Sequence, residues 1–159
     1  MAWRLGTSWL LPAHLVMVAM TTVLVVTDFD HLRLPNRIVY PGTVAGFALL
    51  TAGAVLESAT GALPRAILGG VVYFAGFLSV YLIARGQGFG FGDVKLAVML
   101  GLFAAFYSWR TLVMALFVTA VLGGVPAIVL LAMGKGGKTA IPYGPPMIAG
   151  TWLAIVFLS

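Results

Sequence analysis

The chain has four acidic residues: Asp28, Asp30, Glu57 and Asp93. Three are aspartates, and a pair of aspartates can hydrolyse a peptide bond without metal. Two carboxyls sharing a site do not both ionise easily, so the pair holds one proton between them. The ionised member draws a proton from water while the protonated member donates to the carbonyl oxygen. Such a pair titrates as a unit, and no fixed acid and base are assigned within it. The remaining residue types narrow the chemistry. The absence of cysteine excludes disulfides, thiolate zinc sites, iron–sulfur clusters and a cysteine nucleophile. Two histidines, His14 and His31, are too few for a histidine metal site without carboxylate help. Neither a metal nor a cofactor is expected.

The elements that must position these acids follow from composition. Of 159 residues, 62% are hydrophobic and 8% charged. A soluble domain runs about 45–50% apolar and about 25% charged, and disorder needs low hydrophobicity with high charge. Both classes are excluded. Unbroken apolar stretches of membrane-spanning type fall at roughly 9–27, 38–56, 66–84, 94–107, 111–133 and 143–158, with Pro126 marking a kink. The expected fold is therefore an all-α polytopic membrane protein of about six transmembrane helices, one integral-membrane domain over residues 1–159. Its loops are short, and no internal repeat is visible. The first stretch does not read as a cleavable signal, because it lacks a basic start followed by a small-residue cleavage site and Asp28 closes it.

A net charge of +5 would suggest nucleic acid in a soluble protein. Here the basic residues sit singly in loops, so no nucleic-acid partner is expected and the charge reads as membrane orientation. The loops after the first, third and fifth spans carry Arg33, Arg37, Arg85, Lys95, Lys135 and Lys138, against Arg4, Arg65 and Arg110 on the other side. That bias places the odd loops in the cytoplasm and both termini outside. Asp28 and Asp30 close the first span, and Asp93 opens the fourth. Two complete crossings separate them, so they return to one face, while Glu57 closes the second span on the other. An ionisable residue at a span edge is a functional signal by default. An acid suits the helix N-terminus at Asp93 but not the helix C-terminus at Asp28. Before Asp93, the run Gly86-Gln87-Gly88-Phe89-Gly90-Phe91-Gly92 puts glycine at every second position, a bent backbone that a peptide can approach closely. No strand precedes it, which argues against a dinucleotide loop.

Asp28-Phe29-Asp30-His31-Leu32-Arg33-Leu34-Pro35-Asn36 resembles the first signature of the type IV prepilin peptidases, an aspartate followed seven positions later by proline and then Asn or Asp. Gly90-Phe91-Gly92-Asp93-Val94-Lys95-Leu96 resembles their second, Gly-x-Gly-Asp with its Val-Lys-Leu tail. Ile141-Pro142-Tyr143-Gly144-Pro145 is similar to the Pro-aromatic-Gly-Pro stretch that opens their last span. The resemblance covers the whole chain. It implies an aspartic endopeptidase of the inner or plasma membrane that cuts the short basic leader from prepilins and pseudopilins on the cytoplasmic side, after a glycine. It implies Asp28 and Asp93 as the catalytic pair. Many members carry a further N-terminal region with paired cysteines and N-methylate the new amino terminus with S-adenosylmethionine. This cysteine-free chain starts almost directly at its first span and resembles the short, protease-only members, so methyl transfer is not expected.

Supporting or substrate-contacting roles fall to Asp30, Gly90, Gly92, Lys95, Pro35 and Asn36. Asp30 lies about 200° round a helix from Asp28, so only one of the two can face Asp93. Asp30 is therefore read as water-facing or supporting. Pro35 and Asn36 end the loop and cap the second span. Lys95 either favours an ionised aspartate or snorkels to lipid phosphates. His31 reads as an interfacial loop residue. Lys135 and Lys138, with Gly134, Gly136 and Gly137, form a basic loop that signals orientation and meets acidic substrate residues or lipid. The expected partners are a prepilin or pseudopilin leader peptide and the lipid bilayer. Two alternatives stand beside this reading. A presenilin-like or signal-peptide-peptidase-like protease also uses Gly-x-Gly-Asp, with a larger number of spans. A proton- or cation-coupled transporter would show repeat symmetry and broken helices near mid-bilayer.

Overall fold

The computed structural model describes residues 8–31, 36–85, 90–132 and 143–158; the side chains of residues 29–31, 127, 130 and 131 are not among those described. The regular elements in these segments are six α-helices: α1 Leu11–His31, α2 Asn36–Leu56, α3 Ala62–Ile83, α4 Phe91–Tyr107, α5 Trp109–Ala132 and α6 Gly144–Leu158. The chain is an all-α polytopic membrane protein. Short connections make successive helices run in opposite directions. One end of the bundle therefore collects the end of α1 and the starts of α2, α4 and α6.

Helices α1, α2, α3 and α5 are long and apolar enough to cross a membrane. At 1.5 Å per residue, the 17 residues of α4 reach about 25 Å and the 15 of α6 about 22 Å, short of a hydrocarbon core of about 30 Å. Their shortness has a packing reason. Helix α4 packs against α2, α3, α5 and α6. From Val94 to Phe106 only Lys95 and Val98 rise above full burial. A helix that is apolar all round because protein surrounds it need not match the lipid thickness.

Two devices fix α4 within this cage. Against α3 the backbones meet closely: a Cβ placed on Gly101 would lie 2.5 Å from the carbonyl oxygen of Gly69 and 2.9 Å from Cα of Gly70. Small residues permit that approach, which is how helices gain dispersion energy where lipid supplies no hydrophobic drive. At the far end, Arg65 in the first turn of α3 donates to the last carbonyls of α4. Nε reaches Ala105 O (2.7 Å), and Nη2 reaches Phe106 O (2.6 Å) and Tyr107 O (2.9 Å). These are the carbonyls that a helix C-terminus leaves without intrahelical partners.

Single residues turn the chain sharply. Ser108 stands alone between α4 and α5 in extended conformation, and its hydroxyl accepts the Thr111 N–H (3.0 Å), capping α5. Helix α2 ends in a Schellman motif: Ala59 N–H donates to Ala54 O (2.7 Å) and Ser58 N–H to Val55 O (3.2 Å), with Ser58 at φ 56°. Glu57 accepts the Ser8 hydroxyl (2.5 Å), joining the start of α1 to the end of α2. His14 is buried nearby. Its Nδ1–H donates to Leu10 O (2.8 Å), which leaves Nε2 to accept the Tyr107 hydroxyl (2.7 Å). It is a satisfied core histidine.

Candidate active site

The boundaries of the helices refine the placement of both aspartates. Helix α1 does not stop at Asp28 but runs one turn further, to His31. Asp28 is thus a residue inside the helix, and Asp30 lies in its last turn. Helix α4 starts at Phe91, three residues before the unbroken apolar stretch, which makes Asp93 the third helical residue. An apolar-length reading breaks at the first charge. Backbone hydrogen bonding does not.

Asp28 and Asp93 are both buried, each 4% exposed. Asp93 feels the negative charge of Asp28, so the two carboxylates lie within electrostatic reach of each other, on two helices that pack little against one another. Each carboxylate has one backbone donor at a helix N-terminus. Gly90, the N-cap of α4, donates its N–H to Asp93 Oδ2 (3.1 Å), and Asp93 N–H donates back to Gly90 O (3.1 Å). The other oxygen, Asp93 Oδ1, is buried with no hydrogen-bond partner among the described residues. Buried polar atoms are nearly always paired. An unpaired carboxylate oxygen beside a second carboxylate is where a water or a peptide carbonyl would be received.

Asp28 Oδ2 accepts the N–H of Gly144, the first residue of α6 (3.0 Å). The sequence around Gly144 makes this contact specific. Pro145 and Pro146 follow it and have no N–H to give. Met147 N–H is bonded to Tyr143 O (3.3 Å). Gly144 therefore carries the donor that the first turn of α6 has to offer, and the positive end of that helix faces Asp28. This offsets the unfavourable position of an acid near the C-terminal end of its own helix. The approach requires glycine: a Cβ at residue 144 would lie 2.8 Å from Asp28 Oδ2. Tyr143, immediately before it, lies within electrostatic reach of Asp93.

The supporting residues separate into three groups. Gly90 and Gly92 lie in the turn that builds the Asp93 cap. Lys95 and Asn36 meet each other, with Lys95 Nζ donating to Asn36 Oδ1 (2.8 Å). The same ammonium sits over the rings of Phe91 (4.9 Å) and Tyr40 (5.3 Å). The pair ties the start of α2 to the first turn of α4. The described partners of Lys95 lie on α2 and α4. Pro35 and the basic loop of Lys135 and Lys138 fall outside the described residues, as do the side chains of Asp30 and His31. The sequence reading noted the Pro-Tyr-Gly-Pro stretch but gave Tyr143 and Gly144 no role. The available signal was a glycine caught between prolines at the mouth of an apolar helix.

Two buried carboxylates at one end of the bundle, each accepting a backbone N–H at a helix N-terminus, make up the candidate site. The model of the type IV leader peptidase family matches residues 15–128, and the chain belongs to that family. Proteins named prepilin leader peptidase/N-methyltransferase are similar over nearly the whole chain. The one from Stutzerimonas stutzeri is 32% identical over 98% of this chain and 53% of its own length. That from Pseudomonas putida is 32% identical with the same coverage. That from Myxococcus xanthus is 32% identical over 84% of this chain and 39% of its own. The chain thus spans about half the length of the first of these relatives, or less. No solved structure matches it.

Proposed function

We propose that this chain is an aspartic endopeptidase that removes the basic leader of type IV prepilins or pseudopilins at the cytoplasmic face of the inner or plasma membrane. The observation that supports this reading is the burial of Asp28 from α1 and Asp93 from α4 within electrostatic reach of each other, with Asp28 on the N-terminus of α6. Family membership supplies the substrate class.

The pair shares one proton. A water between the carboxylates loses its proton to the ionised member as its oxygen attacks the peptide carbonyl, and the protonated member hydrogen-bonds the carbonyl oxygen as charge develops there. The tetrahedral intermediate then collapses. The C–N bond breaks and a proton passes from the pair to the departing amine, which restores the starting state. Gly144 and Gly90 hold the outer oxygens, so both carboxylates keep their orientation through the cycle.

The test is cleavage of a synthetic leader peptide by the purified chain in detergent, followed by mass spectrometry. Asp28→Asn and Asp93→Asn should each abolish cleavage while membrane insertion and thermal stability persist. Two groups that act as one are non-additive, so the double variant should be no worse than either single one. Cleavage should also survive strong chelators, because two carboxylates suffice for this chemistry. Loss on chelation, restored by zinc, would overturn the dyad.

A further inference from the structure

Helix α3 packs chiefly on α4, and α5 chiefly on α6, so α3 and α5 stand side by side with little direct contact. The gap holds a cavity of about 370 Å³, lined by Gly76, Phe77 and Val80 from α3, Leu116 and Thr119 from α5, and Tyr143. That volume is at the lower end of the range of about 300–1,000 Å³ for small-molecule pockets, enough for a bulky side chain. Its lining is apolar apart from the hydroxyls of Thr119 and Tyr143. The Thr119 hydroxyl is already bonded to Tyr73 (3.1 Å).

Tyr143 joins this cavity to the carboxylate pair. Its ring is seated on α5 at Gly123, where a Cβ would lie 2.3 Å from Cζ, and it meets the Phe77 ring edge-to-face at 6.0 Å. The next residue along the chain holds Asp28, and Tyr143 itself feels Asp93. The cavity and the site are therefore adjacent, joined through the consecutive residues Tyr143 and Gly144. A second cavity, of about 440 Å³, is larger, but its walls include Phe47, Phe74, Val98 and Leu102 and none of the residues around the carboxylates. Depth is also informative. Gly76 lies seven residues inside the end of α3 at Ile83, about 10 Å along the axis. The cavity thus extends from the site toward the bilayer interior.

We propose that this cavity is the subsite for the apolar side chain immediately following the cleaved bond, and that Gly76 sets the size of residue it accepts. The inference rests on the peptidase reading above. A basic leader stays with water and headgroups, so the part of the substrate beyond the cut is the part that turns toward the bilayer and meets this cavity. Gly76 is the point of control because packing does not demand it. A Cβ built there meets nothing within 4 Å. A larger residue fits the fold and takes its volume from the cavity.

The test compares peptides with a basic leader, a glycine at the cut, then Ala, Leu or Phe, then an apolar segment. They are cleaved by the purified full chain as wild type, Gly76→Leu and, from the opposite wall, where Ala120 of α5 also lines the cavity, Ala120→Leu. In the wild type, kcat/KM should favour the Leu or Phe peptide over the Ala peptide. One methylene in an apolar pocket is worth roughly 10- to 200-fold, so filling the cavity should lower that preference at least tenfold. Should either well-folded variant keep the wild-type ratio of kcat/KM values, the cavity belongs to lipid or to nothing, and the subsite is overturned with the peptidase reading intact. Wild-type protein that cleaves none of the peptides, or Asp93→Asn protein that cleaves them all, would remove the reading itself and this inference with it.

Discussion

The two acids are held by contacts of different range along the chain, one local and one long. The donor to Asp93 is Gly90, three residues earlier in the same motif, so its environment is local and legible. The donor to Asp28 is 116 residues away, and no spacing rule within the first motif points to it. What the sequence did show was the problem that Gly144 solves, an acid placed near the negative end of its own helix. Gly144→Ala is therefore the sharpest test of the site after the aspartates themselves. Its Cβ would lie 2.8 Å from Asp28 Oδ2, and the carboxylate or the start of α6 must shift. A displacement of an ångström at a reacting group costs about 100-fold, so kcat should fall between about 10- and 100-fold with the helical circular dichroism unchanged. Placed on top of Asp28→Asn, the same change should cost nothing more, since the group it misplaces no longer acts. Asp30→Asn should keep substantial activity, because positions two apart on a helix are separated by about 200°. A dead Asp30→Asn with an active Asp28→Asn would put the dyad in the wrong register.

At the level of helices, the number and type of elements were legible because apolar length in a chain this poor in charge leaves few alternatives. Their ends were less so. Charge stopped the reading of α1 at Asp28 and delayed that of α4 to Val94, whereas the helices continue wherever the next backbone partner exists. Packing between distant segments was not legible at all. Arg65 reads in sequence as one loop charge among nine basic residues, and in the fold it closes the end of α4 through three carbonyls. A hydrogen bond to a charged group contributes about 1.5–3 kcal/mol, so Arg65→Met should lower stability by at least about 2 kcal/mol, read as a fall in thermal midpoint in detergent. Arg65→Lys should recover only part of this, because a single ammonium cannot replace a planar fork that serves three oxygens. The site lies at the opposite end of α4, so the Arg65 variants should keep the wild-type kcat at temperatures where they remain folded. Loss of activity without loss of stability would mean that α4 transmits strain along its length.

For the molecule as a whole, the fold alters the weight of the charge argument without reversing it. Among the described residues, two basic side chains have structural partners that account for them: Arg65 on the carbonyls of α4, and Lys95 on Asn36 and two rings. A charge tied into packing is a weaker topological signal than one in a short loop. Setting both aside leaves Arg33, Arg37, Arg85, Lys135 and Lys138 on the side of the aspartates, against Arg4 and Arg110 on the other. The side with more lysine and arginine stays in the cytoplasm. Under the proposed function a basic leader would meet the carboxylates there before it could cross the bilayer, so orientation and substrate access would demand the same topology. The absence of native cysteine makes this directly measurable. Ser58→Cys, at the exposed turn after α2, should react with an impermeant maleimide in intact cells. Gln87→Cys, before the Asp93 turn, should react only after the membrane is opened. The reverse pattern would place the aspartates on the outer face, where a cytoplasmic leader cannot reach them, and the proposed reaction would fail even with both carboxylates in position.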